Sequence, residues 1–144
     1  MRLLALALTV SGLAHPAGAT AAEGVANLAG AWTAVTAEQD GAPAPEMVGH
    51  RLVFTGDAFT IYASDGKLLY GGTYTVNPTA QPARIDFHGA AAGDVGKTWE
   101  GIYRQHGDNL TTVDDAPDPA KGRPTHFAAP LGSGYVLIEF RRSQ

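Results

Sequence analysis

Leu28-Ala29-Gly30-Ala31-Trp32, near the start of the chain, and Arg141-Arg142, near its end, decide the fold between them. A glycine two places before a tryptophan lets the backbone bend across the mouth of a small sheet. An indole face beside a terminal guanidinium can stack over the closed end of that sheet. The two stretches therefore predict a closed β-barrel whose first and last strands lie side by side. Gly30, Trp32 and Arg141 are the expected closure residues, with Arg142 as the alternative cation.

The intervening sequence agrees. No window of about 11 residues holds helical periodicity, whereas period-two alternation recurs in short runs broken by glycine, proline and aspartate. Strands are expected at 32–37, 51–55, 58–62, 68–76, 84–88, 98–105, 110–113, near 125–128 and at 135–141. Residues 41–45 break the first of these, and 46–50 reads as a single helical turn. Ser64-Asp65-Gly66 and His106-Gly107-Asp108-Asn109 are hairpin signals. Leu52 with Phe54, Phe59 with Ile61, and Ile85 with Phe87 mark inward faces. In 98–105, Trp99, Gly101 and Tyr103 share one face and Glu100, Ile102 and Arg104 the other, so the inward side is open. Short strands at this spacing fit an antiparallel up-and-down barrel of about eight strands, because closure removes unpaired edges. A sandwich would need longer crossovers.

Met1-Arg2, the apolar run 3–13 and Ala17-Gly18-Ala19 form a secretory leader, expected over 1–21, with a single domain over 22–144. Ala19-Thr20-Ala21 and Thr20-Ala21-Ala22 serve equally well as cleavage sites. The run is too short to cross a membrane, which takes roughly 20 apolar residues. Export to the periplasm or the medium is therefore expected. With no cysteine, the domain has neither a lipid anchor nor disulfides and must rely on its core. Loss of Arg2 with the leader moves the formal charge from −4 to −5, which disfavours nucleic acid and acidic membrane surfaces.

Catalytic patterns are missing. His50, His88, His106 and His126 show no His-x-His or His-x-x-x-His spacing, so no metal site is expected. Asp114, Asp115 and Asp118 lack a calcium-loop pattern and read as a solvated loop. Gly96-Lys97-Thr98 has Ala91 where a phosphate loop needs glycine. Ser64 and Ser133 lie in turns, away from any nucleophile elbow, and Asp86 with Glu100 reads as surface charge on neighbouring strands. No enzyme and no cofactor is expected. Tyr62, Tyr70, Tyr74, Trp99 and Tyr103 either line a ligand-binding cup or fill the barrel, since a barrel of about eight strands is barely wide enough for either. The expected activity is non-covalent binding of a small apolar or amphipathic ligand by a monomer. The alternative is a protein-binding module, or an inhibitor of a secreted hydrolase, acting through its loops or the segment 22–28.

Leu28-x-Gly30-x-Trp32, Asp40-Gly41-x-Pro43, Leu52-x-Phe54-x-Gly56-Asp57, Gly72-Thr73-Tyr74, Ile85-Asp86, Gly101-Ile102-Tyr103, Gly107-Asp108-x-Leu110 and Arg123-Pro124-Thr125-x-Phe127, in that order, resemble an uncharacterised family of small exported bacterial domains common in planctomycetes. Val113 departs from that family, whose members often carry a cysteine shortly after Gly-Asp-x-Leu. More distantly, Gly30-x-Trp32 with Arg141 is similar to the first- and last-strand signature of lipocalin-like barrels. That resemblance implies an eight-stranded calyx with an apolar interior.

Overall fold

Glycine- and aspartate-bearing turns cut the chain into strands short enough to wrap once around a single core. The computed structural model describes residues 28–93 and 95–144; the expected leader 1–21 and the segment 22–27 lie outside the described residues. The strands are β1 (Gly30–Gln39), β2 (Ala42–Pro43), β3 (Arg51–Thr55), β4 (Ala58–Tyr62), β5 (Leu68–Asn77), β6 (Arg84–Ala92), β7 (Thr98–His106), β8 (Asn109–Asp114) and β9 (Val136–Arg142). All pairings are antiparallel and sequential from β3 to β9, and β1 pairs with both β3 and β9, closing an eight-stranded barrel with the short β2 attached to β1.

Closure uses Arg142. The β1–β9 register pairs Trp32 with Arg142 and Thr33 with Arg141, so strand alternation turns Arg141 to the outside. The Arg142 guanidinium carbon lies 4.2 Å above the Trp32 ring, Nη1 donates to Ala29 O at 2.9 Å, and Nε meets Asp108 Oδ1 at 3.2 Å. Beneath the stack, the indole N–H of Trp32 donates to Leu28 O at 2.9 Å, and Leu28 and Trp32 are both fully buried. Gly30 adopts φ 109°, a conformation L side chains rarely take, and so admits the chain beneath the guanidinium.

A β-bulge between Ala34 and Thr36 changes which β1 side chains face inward. Trp32 and Ala34 point in before it, while Ala37, opposite Ile138, and Gln39, opposite Val136, point in after it.

The half of the barrel nearest the closure is solid. Phe54, Phe59, Tyr74, Phe87 and Trp99 pack at centroid separations of 4.6 to 5.6 Å: Phe54 tilted on Tyr74, Phe59 edge-to-face on Phe87 and on Trp99, and Phe87 stacked on Trp99. Leu52, Ile85, Leu110 and Phe140 complete this core.

No strand forms at 125–128. With β8 already paired to β9 there is no free edge to extend, and residues 115–135 instead cross the outside of the barrel. Ile102 and Val113 are buried beneath that crossing, and Pro124 is buried within it. Arg123 holds it down, with Nη1 at 2.7 Å from Asp86 Oδ1 and donating to Gly101 O at 2.8 Å, and with Nη2 at 3.5 Å from Glu100. Arg104 stacks on Phe127 at 4.5 Å. Of the outward residues, Ile102 is thus buried by the crossing chain, Glu100 is half-covered and Arg104 stays exposed, while Trp99, Gly101 and Tyr103 take the inside. The helical turn expected at 46–50 is a 3₁₀ turn at Pro45–Met47.

Candidate functional site

In an up-and-down barrel the end opposite the closure collects the last residues of some strands and the first of others. Gln39 ends β1, Ile61 lies next to last in β4, Tyr70 is near the start of β5, Thr98 and Trp99 open β7, Asp114 ends β8 and Val136 opens β9. Together with His50, Leu52, Ile138 and Phe140 they line a cavity of about 350 Å³. Met47 of the 3₁₀ turn, Gly93 and Lys97 between β6 and β7, and Pro117 and Pro119 of the external crossing form its rim. The interior is thus filled beyond Trp99 and hollow on the near side of it. The volume falls within the range of small-molecule sites, ~300 to 1,000 Å³.

Of the aromatic residues expected to form a cup, Tyr70 and Trp99 line the cavity, with ring centroids 6.1 Å apart. Tyr74 and Tyr103 belong to the solid half. The Tyr74 hydroxyl donates to Gly56 O at 3.0 Å, and burial raises the phenol pKa of both residues, with Asp57 adding to the rise at Tyr74 and Tyr74 to that at Tyr103. Tyr62 alternates to the outer side of β4 with Thr60 and does not line the cavity. Its neighbour Ile61 does.

Asp114, expected in a solvated loop, is inside the barrel. It follows Leu110 and Thr112 on the inward face of β8, and only 7% of it is exposed. Oδ1 accepts the Ala116 N–H at 3.0 Å, the single hydrogen bond its side chain makes with the described residues. Its cross-strand partner Gly101 has no side chain, and a Cβ there would sit 3.1 Å from Asp114 Cβ and 2.7 Å from Val113 O. Burial lifts the Asp114 carboxyl from 3.8 to about 7, against the lowering effect of the Ala116 N–H, and Asp115 adds to the rise.

Asp115 is also buried, but on the outside, under the crossing chain. It accepts the Glu100 N–H at 2.7 Å, and burial again raises its carboxyl above the usual range. Only Asp118 of the acidic triplet behaves as loop chemistry, capping the 3₁₀ turn at Pro119–Lys121 through Ala120 N–H. Sequence reading missed Asp114, His50, Lys97 and Gln39 as cavity residues. The one available signal for Asp114 was its parity with Leu110 and Thr112.

Among the described residues, no group of three or more His, Asp or Glu side chains is placed to hold a metal ion, and no helix is long and apolar enough to cross a membrane. Comparison with protein-family models, curated proteins and solved structures finds no match.

Proposed function

We propose that the protein is an exported, non-catalytic binder that takes a small amphipathic molecule into the open half of the barrel. The observation that carries this reading is the cavity itself. A closed sheet filled throughout would have served stability better, because each unfilled core volume forfeits dispersion contacts. Here Leu52, Ile61, Trp99, Ile138 and Phe140 instead surround a space open to solvent at one end. An apolar wall with a few polar groups is the usual composition of a small-molecule site. Export is supported by the apolar run 3–13 and the small residues that follow it.

The test is a titration of the mature protein with fatty acids, alkylamines, retinoids and porphyrins, followed by the fluorescence of Trp99 and by calorimetry. A saturable response to at least one class is expected. Ile138→Phe, which places added bulk in the void, should weaken that response by about tenfold or more, as filling a site costs its ligand contact area. Flat titrations across the panel, or a response indifferent to Ile138→Phe, would overturn the reading.

A further inference from the structure

Asp114 is the one carboxyl lining the cavity among the described residues, and it is nine-tenths buried with Oδ2 unpartnered. Oδ2 opens onto the cavity, so a donor carried by a ligand can reach it in surroundings where little water competes. Two cationic or potentially cationic side chains also line the space, Lys97 and His50. Lys97 is exposed at the rim and His50 is half-buried, so water screens the ammonium far more than it screens Asp114. The most buried polar side chain open to a ligand is therefore a carboxyl. Tyr70 and Trp99 add aromatic faces near the same opening, which favour a cation over an anion.

Resting on the ligand-binding reading above, we infer that the cavity selects amphipathic amines, with a protonated nitrogen donating to the Asp114 carboxylate and an alkyl or aryl body against Leu52, Ile61, Trp99 and Phe140. A carboxylic acid of the same length would put like charges together at Asp114. A neutral alcohol would fill the same apolar volume with only an uncharged donor for the carboxylate. Charge-assisted hydrogen bonds are about twice as strong as neutral ones and gain further where water is excluded. Burial, by lifting the Asp114 carboxyl to about 7, keeps the empty cavity close to neutral, and an arriving ammonium favours its ionisation. The groups that share its surroundings are His50, Lys97, Tyr70 and, across the strand on the outside, Asp115.

Calorimetric titration of the mature protein and of Asp114→Asn with octylamine, octan-1-ol and octanoate at pH 8 tests this. In the unmodified protein octylamine should bind about tenfold or more tightly than octan-1-ol, the worth of one charged hydrogen bond. In Asp114→Asn the amine should fall to the affinity of the alcohol while the alcohol is unchanged. Equal binding of amine and alcohol by the unmodified protein would overturn the inference and leave the ligand-binding reading standing. So would an amine preference that survives Asp114→Asn, or a preference for octanoate, which would transfer the headgroup contact to Lys97 or His50. Failure of all three probes to bind would overturn this inference, and failure of the wider panel as well would overturn the ligand-binding reading.

Discussion

Replacing Asp114 by Asn should stabilise the empty protein at pH 8 relative to pH 4. The carboxyl is 7% exposed, and burial raises its pKa from 3.8 to about 7. Between those two values the folded chain holds a proton that the unfolded chain has released, so stability falls as pH rises from about 4 through about 7 and then levels off. A shift of roughly three units at 1.36 kcal/mol each sets a ceiling of about 4 kcal/mol. Oδ2 faces a cavity open to water, and Lys97 and His50 line the same space, so about 2 kcal/mol is the expected change. Asn keeps the shape and the carbonyl acceptor for the Ala116 N–H but cannot ionise. Asp115, raised by burial in the same sense, titrates in both proteins, and the difference between them isolates Asp114. Urea unfolding of both proteins at intervals from pH 4 to pH 8.5 measures it. A difference that stays flat over this range, or that shrinks as pH rises, would refute the placement of this carboxyl inside the barrel.

Arg142→Ala should cost about 2 kcal/mol in urea unfolding, because it removes the cation over Trp32, the bond to Ala29 O and the pairing with Asp108. Arg141→Ala, on the outer face, should stay within about 0.5 kcal/mol. Arg123→Met should destabilise by about 2 to 3 kcal/mol at neutral pH, since Asp86 and the buried Asp115 lose their cation, and the part of the loss that comes from Asp115 should shrink on acidification as its raised carboxyl protonates. Phe59→Ala, which removes the ring packed edge-on against both Phe87 and Trp99, should cost about 3 to 5 kcal/mol and shift the near-ultraviolet dichroism of Trp99.

Strand positions, hairpin turns and the closed sheet were legible in the sequence because each depends on local chemistry. Period-two alternation sets two faces, and glycine with aspartate sets the reversals; 51–55 and 58–62 coincide with β3 and β4 for that reason. The meeting of the Trp32 region with the chain's final arginines was legible as well, but the choice of Arg142 over Arg141 was not. It depends on the β1–β9 register and its bulge at Ala34/Thr36, which no short window contains. The same bulge brings Gln39 to the cavity.

What the sequence by itself determined is that the chain alternates, turns tightly and must close on a cysteine-free core. What only the tertiary structure decided is which side of 98–105 faces in, where filling stops and where Asp114 ends up. The physical reason is that a face becomes interior only when something distant covers the other one. Arg123, Pro124 and Phe127 do this for Ile102, and closure of β8 onto β9 does it for Asp114, turning a residue that reads as loop into a buried carboxyl at the edge of an unfilled space.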